Sequence, residues 1–190
     1  GNYLYFKAGF QAACLSFDMQ YDTFETANSF RKIVDGKGNT FRFQPYVQGQ
    51  WTPAARWTFN LGLHAMYFAL TRDFFLEPRL GAGYRLGPTQ TLSLAYGLHS
   101  RHVPLGSYFT VADGTQPNRE LPFIKAHHLV LAYANKFTGG YRFSGELYYQ
   151  YLFDVPVETG GLQTYWMLND IEGYAARALA GEGTGRNYGL

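Results

Sequence analysis

The chain has 190 residues and a formal net charge of +2, and its composition is 46% hydrophobic and 16% charged. This balance excludes an intrinsically disordered chain, and so small a charge gives no reason to expect a nucleic-acid partner. No apolar run approaches the roughly 20 residues that a membrane-spanning helix requires, so any membrane crossing must use strands. Cys14 is the single cysteine, which excludes an intrachain disulfide.

Hydrophobic residues alternate with polar ones along successive segments of the chain. Successive side chains of a strand point to opposite faces, so this two-residue period predicts strands that separate an apolar environment from a polar one. Aromatic residues reach 18% of the sequence, and Tyr and Trp favour membrane–water interfaces. In chain order, the strands are predicted over residues 2–12, 41–51, 57–69, 74–86, 90–102, 125–137, 141–153 and 183–190.

The connections between these strands are alternately tight and long, with the short segment 70–73 as the exception. Gly-Pro at 87–88 and Gly-Gly at 139–140 supply the backbone conformations of tight turns. Outer-membrane barrels have short turns at one end and longer loops at the other. We therefore expect the two kinds of connection at opposite ends of the strands. The tight ones are 51–57, 86–91 and 137–141, and the long ones are 13–40, 103–124 and 154–182.

The consistent difference between the two stripes predicts an all-β fold, an antiparallel up-and-down transmembrane β-barrel. The apolar stripe would face lipid and the polar stripe the interior. Pro45 and Pro78 lie inside strands, where bulges or strand starts would have to absorb them. Lys125 and His127 fall on the apolar stripe. We expect Leu61, Leu63, Leu92, Leu94, Leu129, Leu131 and Leu147 to point outward, and Asn60, Ser93, His99, Arg142 and Glu146 to point inward.

One helix is predicted, over residues 168–180 in the last long connection. Asn169 is its candidate N-cap, with Glu172 three residues further on as a capping box. Because the segment lies in a loop before the final strand, we expect the helix to pack locally.

No pattern in the sequence points to a metal site or a cofactor, so we expect neither. The five histidines are dispersed, and the adjacent His127 and His128 must face opposite sides of a strand. Asp18, Asp22 and Glu25 share the first long loop but lack the Gly and the regular oxygen spacing of an EF-hand.

No pattern points to catalysis either, and we predict that the chain is not an enzyme and has no catalytic residue. The Gly-rich segment 181–186 lacks the Gly-Lys-Ser/Thr ending of a phosphate loop, so we expect a flexible loop entering a strand. Arg142 and Glu146 share a polar stripe, where charge pairing is common in barrel interiors. Ser144 has no His-and-acid arrangement beside it.

Several phrases of the sequence, taken in order, resemble a known family of membrane proteins. They are FQPYVQGQW at 43–51, LGLHAMYF at 61–68, LEPRLG at 76–81, LAYGLHS at 94–100, ELYYQYLFDVPV at 146–157 and GTGRNYGL at 183–190. Together they resemble the barrel half of TonB-dependent receptors from Bacteroidota, of the type that carries a carboxypeptidase-like regulatory domain. The prolines at 45 and 78 are part of the matching phrases.

The resemblance implies a fragment of a larger molecule, because such receptors have a plug domain inside a barrel of roughly 22 strands. Residues 1–190 would be a partial outer-membrane barrel domain of about eight strands, with no plug domain and no signal peptide. It also implies a place in the bacterial outer membrane, against its lipid, and a part in the uptake of a scarce ligand such as a siderophore or glycan. The implied partners are the rest of the parent barrel and its plug, the TonB complex acting through that plug, and a surface lipoprotein as a further candidate.

Four aromatic residues in the long loops are candidates for ligand contacts. Their rings are suited to stacking on a sugar or a siderophore, and packing within the loops is the alternative. These residues are Tyr108, Phe109, Tyr165 and Trp166.

Two other architectures remain open. One is a complete, small eight-stranded barrel that acts as a structural anchor or adhesin. The other is a soluble, lipocalin-like binder, in which the apolar stripe would face inward. If the chain is instead a slice of a larger barrel, strands 2–12 and 183–190 are open edges, and residues near Leu4 should not pair with residues near Tyr188.

Overall fold

The computed structural model describes residues 2–26, 29–160, 165–169 and 176–190, which form one curled antiparallel sheet, a half-barrel of eight strands. Each strand pairs with the next one along the chain, so the predicted all-β, up-and-down class is confirmed. No helix in these ranges is long and apolar enough to cross a bilayer. The elements are β1 Tyr3–Thr26, β2 Ser29–Ala54, β3 Trp57–Phe68, β4 Asp73–Arg85, β5 Gln90–Arg101, α1 Leu105–Tyr108, β6 Ile124–Lys136, β7 Arg142–Glu158, the 3-10 turn Met167–Asn169 and β8 Leu179–Gly189.

The first hairpin is much longer than the sequence predicts. Instead of a loop over 13–40, β1 and β2 continue as a paired ribbon from Tyr3–Thr52 to Thr26–Ser29. The two-residue period persists there, but the polar and apolar stripes exchange faces after Cys14. In the sequence, this exchange resembles the end of a strand. At the other end of the chain, β7 extends to Glu158 and β8 begins at Leu179, whereas the bounds of β3 to β6 lie within one residue of the prediction.

The three tight connections predicted from the sequence lie at one end of the sheet, and the segments predicted as long connections lie at the other end, as predicted. Because neighbouring strands are antiparallel and follow the chain order, the connections alternate between the ends. We call the end with the turns at 55–56, 86–89 and 137–141 the turn end, and the opposite end the loop end. The loop end carries the tip of the first hairpin, the turn at 69–72 and the connections 102–123 and 159–178.

The sheet is open at β1 and β8. Across the residues that the structure describes, no ladder joins these two strands, so the predicted absence of pairing between Leu4 and Tyr188 holds there. The polar groups on one side of each edge strand therefore have no partner strand within the sheet.

The two strand prolines cause gaps in ladders rather than the bulges or strand starts that the sequence predicts. Neither proline shifts the register with β3. Beside Pro45 the ladder between β2 and β3 skips two residues, from Phe43 to Tyr46. Beside Pro78 the ladder between β4 and β5 ends, with Arg79 opposite Gly97. Proline has no N–H to donate, so a gap in one ladder is the smallest disturbance it makes.

The buried apolar core lies at the loop end, on the concave side of the sheet. Met66 and Phe68 belong to it, because the stripe of β3 that is polar near the turn end becomes apolar near the loop end. Burial in this core raises the pKa of the Tyr108 phenol well above its ordinary value. The core consists of Ile33, Val34, Met66, Phe68, Val103, Tyr108, Phe109, Leu121, Phe123, Ile124, Val155, Met167 and Leu179.

Residues 102–123, which we call the strap, cross the loop end of the sheet. On one side, the Val111 N–H donates to the Ile33 carbonyl at 2.8 Å, which attaches the strap to β2. On the other side, the Leu179 N–H donates to the side-chain oxygen of Asn118 at 2.9 Å, which attaches it to the start of β8. The strap therefore joins two strands that lie six places apart in the sheet order.

The helix predicted over 168–180 is not formed where the structure describes it. Residues 167–169 form a single 3-10 turn, 176–178 are not helical, and β8 begins at Leu179. The remaining part of that prediction, including Glu172, lies outside the described residues.

Candidate functional site on the concave face

The two faces of the sheet differ in polarity in the way that the sequence predicts. The seven leucines expected to point outward all lie on the convex face and are 37–55% exposed. Asn60 and His99 line a hollow on the concave face, and Ser93 lines a second one next to it. Arg142 and Glu146 share that face, because Glu146 lies opposite Ala132, which lies opposite Ser93.

A continuous row of polar residues and glycines crosses the concave face at right angles to the strands. Its members lie directly opposite one another in every successive pair of strands, about 4.8 Å apart. The row contains no carboxylate and no large apolar side chain, although it carries a lysine, an arginine and a histidine. From β1 to β8 it runs Lys7, Gln48, Gly62, Arg79, Gly97, His128, Gln150 and Asn187.

Beside this row, the buried carboxylate of Glu77 organises a hydrogen-bond network. Glu77 is only 2% exposed. One oxygen accepts from His64 Nδ1 at 2.7 Å and from Arg79 Nη2 at 3.0 Å. The other accepts from the Ser100 backbone N–H at 2.9 Å and from the Ser100 hydroxyl at 2.7 Å. A buried carboxylate is tolerated only when it is paired in this way, and the pairing fixes the direction of the Arg79 side chain.

The position of this network follows from Pro78. Because the ladder between β4 and β5 ends at Arg79 and Gly97, the Ser100 N–H has no partner in the ladder. The carboxylate of Glu77, next to the proline, accepts that N–H instead. Sequence reasoning missed this site, although the phrase Glu77-Pro78-Arg79 contains its signal, a charged pair flanking a strand proline.

The hollow in front of Arg79 has a volume of about 510 Å³. Glycines leave space in its floor, and the ring of His99 uses part of that space. A Cβ atom at Gly97 would lie 2.5 Å from His99 Nε2, so the ring lies over the glycine. The ring centroids of His99 and His128 are 6.1 Å apart. The residues that line the hollow include Arg79, His99, His128, Gln48, Gln50 and Asn60, and none of its lining residues is an Asp or Glu.

At the loop end, Arg42 and His102 link the polar face to the apolar core. His102 Nδ1 lies 2.7 Å from the Val103 carbonyl and must donate to it, since a carbonyl only accepts. His102 Nε2 lies 3.2 Å from Arg42 Nη1, which only donates, so Nε2 must carry the lone pair. The neutral ring stacks on Phe68 with centroids 4.6 Å apart. Burial, with Arg42 adding to it, lowers the pKa of His102 below its ordinary value.

The four aromatic residues predicted to contact a ligand all lie in or against the apolar core. Tyr108 is fully buried and Phe109 nearly so, with the ring of Phe109 packed between Phe17 and the Arg119 guanidinium. Tyr165 and Trp166 are partly buried against the same core. These placements fit the packing alternative for Tyr108 and Phe109, and a ligand contact by any of the four stays a prediction.

The predicted separation of the two adjacent histidines is confirmed. His128 lies in the polar row of the concave face, whereas His127 lies on the convex face, where its Nδ1 is 2.8 Å from the Tyr96 hydroxyl. Sequence reasoning missed the approach of His128 to His99, because it depends on the register between β5 and β6. Within the part of the chain that the structure describes, no three His, Cys, Asp or Glu side chains are grouped as metal ligands would be.

The acidic residues assigned to a first loop lie in β1 instead. Asp18 forms an ion pair with Lys37 at 2.6 Å, and Asp22 accepts from the Gln20 amide at 2.8 Å. Their spacing along an extended strand separates them, so the loop assignment was wrong.

The Gly-rich segment 181–186 is part of β8 and not a flexible loop. A Cβ atom at Gly183 would lie 2.7 Å from the Val155 carbonyl, and one at Gly185 would lie 2.9 Å from the Trp166 ring. These glycines therefore allow the strand to approach its neighbours closely. On β7, Arg142 and Glu146 lie four residues apart on one face, and no ion pair joins them.

Comparison of the chain with protein-family models, with curated proteins and with solved structures finds no match in any of the three. The two faces of the sheet and the residues that line them are therefore the features that bear on function.

Proposed function

We propose that the chain forms part of the wall of an outer-membrane β-barrel transporter, of the TonB-dependent kind that its phrases resemble. The observation that carries the proposal is the exchange of polarity along β1. On the convex face, apolar and small residues run from Leu4 to Cys14, and Ser16 and Asp18 follow them. Eleven residues match the roughly 9–11 that a tilted transmembrane strand requires.

The concave face of β1 changes from polar to apolar at the same level along the strand. Lys7 and Gln11 lie beside the polar hollows, and Leu15, Phe17 and Met19 then pack against the apolar core. A soluble barrel has one apolar interior, so it gives no reason for the two faces to exchange polarity at one level. A strand that leaves a bilayer and continues into a packed external domain gives such a reason.

Aromatic residues at the turn end support the same proposal. The ring of Trp57 stacks on Phe59 and lies 4.6 Å from that of Tyr84, and Trp51 lies 5.7 Å from Phe59. All four side chains are on the convex face, near the turns. Tyr and Trp in this position form the aromatic girdle of membrane barrels.

The open edges support a larger barrel rather than a small closed one. In a bilayer, an unpaired backbone polar group costs several kcal/mol. Strands beyond β1 and β8 would remove that cost, and the polar concave face would then form part of a lumen through which a solute passes.

The membrane part of the proposal is tested by spin labels in the whole protein, in native outer membrane. Leu61→Cys and Asn60→Cys, each in a Cys14→Ser background, place labels on adjacent residues of opposite faces. We expect the label at 61 to be more accessible to oxygen and the label at 60 to a water-soluble nickel complex. The reverse result would favour the soluble barrel and overturn the proposal.

The transport part is tested by deleting the gene of the protein that contains this chain. We expect the deletion strain to grow more slowly on at least one scarce nutrient, and return of the gene should restore its growth rate. A protonophore, which collapses the energy supply, should abolish the growth advantage that the gene gives. Unchanged growth on every nutrient, together with weaker surface attachment, would favour the anchor or adhesin.

A further inference from the structure

We propose that the hollow over Gly97 is a binding site for an anionic group, a carboxylate or a phosphate on a small polar solute. Arg79, His99 and His128 surround it. The site itself follows from the chemistry of the concave face, whereas its assignment to a transported solute rests on the proposed function.

The hydrogen-bond donors around the hollow favour an anion. Glu77, which is buried beside the row, is the carboxylate that contacts Arg79, and each of its oxygens already accepts two hydrogen bonds. Its bond to Arg79 uses one guanidinium nitrogen, and the Arg79 side chain remains 48% exposed. A guanidinium has five N–H donors in a planar fork, so most of them remain available to a carboxylate or phosphate.

The spacing of the row suits a single small group. Arg79 and His128 lie on either side of Gly97, so their backbones are about 10 Å apart at the usual strand spacing. The missing side chain at Gly97 leaves room between them, and the His99 ring reaches into that room over the glycine. Arg79, His99 and His128 therefore lie around one part of the wall.

The rim of the hollow indicates what else the solute carries. Gln48, Gln50 and Asn60 add amide groups on one side, and Tyr5 adds a phenol. These groups suit a solute with hydroxyl or amide groups beside its anionic group. A volume of about 510 Å³ lies within the range of about 300–1,000 Å³ that small-molecule sites occupy.

The test uses the whole protein, purified from outer membrane in detergent, with inorganic phosphate and citrate as separate probes and glucose as a neutral control. We expect at least one anion to bind in calorimetric titration. We expect Arg79→Gln to weaken that binding by roughly tenfold to a hundredfold, since a charge-assisted hydrogen bond contributes about 1.5–3 kcal/mol. The stronger of the two probes identifies the anionic group.

Two further variants keep the test decisive. His128→Ala removes a donor that does not touch Glu77, so it carries the test if Arg79→Gln does not fold, and we expect a loss of affinity of severalfold or more. Arg142→Gln removes an arginine from the same face outside the hollow, and we expect affinity to be unchanged.

Two results would overturn the site. One is that neither anion binds more tightly than glucose, and the other is that the Arg79 and His128 variants both bind as the wild type does. Either result would leave the spin-label result unaffected, so a failure of the site is distinguishable from a failure of the proposed function.

Discussion

A single buried carboxylate holds the centre of the polar wall together. Glu77 accepts from two side chains on its own and the preceding strand and from the backbone of the following strand. It therefore replaces, with a side chain, a connection between β4 and β5 that Pro78 prevents the backbone from making.

Replacing this carboxylate by an amide tests its role. In Glu77→Gln, the new NH₂ group faces donors from His64 or Ser100, so we expect the free energy of unfolding to fall by about 1–3 kcal/mol. The measurement is the denaturant midpoint of the whole protein in detergent. Glu146→Gln makes the same change at an exposed position of the concave face, and we expect less than about 0.5 kcal/mol. Equal effects of the two variants would contradict a central role for Glu77.

His102 makes the stability of the loop end depend on pH. Burial lowers its pKa in the folded state below the ordinary value of 6.5, so the unfolded chain binds the proton more readily. Stability is therefore complete above about pH 6.5 and is lost as the pH falls toward the folded-state pKa. A proton on Nε2 would also face the Arg42 guanidinium.

The variant His102→Phe keeps a ring against Phe68 and removes the titration. We expect it to flatten the loss of stability below about pH 6.5, measured as the midpoint of unfolding at each pH. If the midpoint of unfolding falls equally with pH in the wild-type protein and in the variant, groups other than His102 control stability below about pH 6.5.

At the scale of elements, the strap depends on Asn118 for its attachment to β8. This side chain is fully buried, donates to the Arg177 carbonyl at 2.9 Å and accepts from the Leu179 N–H. The Asn118 side chain thus makes the two hydrogen bonds to the start of β8 that the backbone of a neighbouring strand would otherwise make.

Removing the amide should release this attachment. In Asn118→Ala, the Leu179 N–H and the Arg177 carbonyl lose their partner, and we expect exchange of the Leu179 amide hydrogen to become roughly tenfold faster or more, as for a loss of about 1.5 kcal/mol. Asn187→Ala is the matched control, because it removes only an exposed hydrogen bond, in which Asn187 Nδ2 donates to Gln150 Oε1 at 3.4 Å. Unchanged exchange at Leu179 in Asn118→Ala would refute this attachment.

The elements differ in how far the sequence predicts them, for physical reasons. The strands β3 to β6 are predictable because each keeps one polarity pattern between clear turn residues such as Gly87-Pro88. The hairpin beyond Cys14 is not, because its inner side packs on the core while its outer side is polar. The site at Glu77 and His128 depends on register across three ladders, which no single segment of sequence contains.

At the scale of the whole molecule, the two open edges dominate its behaviour. β1 presents a 24-residue edge and β8 an 11-residue edge. From the turn end to the level of Cys14 the convex face between them is apolar, so the sheet combines exposed backbone polar groups with a surface that suits lipid.

The 190-residue chain expressed by itself should therefore aggregate in detergent. The reason is that both edges offer a template for strand addition by another copy. Size-exclusion chromatography and electrophoresis of boiled and unboiled samples measure the outcome. A monomer that migrates differently before and after boiling would show that the chain closes on itself and would contradict the open half-barrel.

The strap connects β2 to β8 across the loop end of the sheet. It holds the two strands at a fixed separation, so the curvature of the loop end depends on the length of the strap as well as on the twist of the strands. Its anchor at Leu179 lies 61 residues after Asn118. During synthesis the connection between the strap and β8 therefore cannot form until β8 has been made, and until then the strap restrains the sheet only at β2.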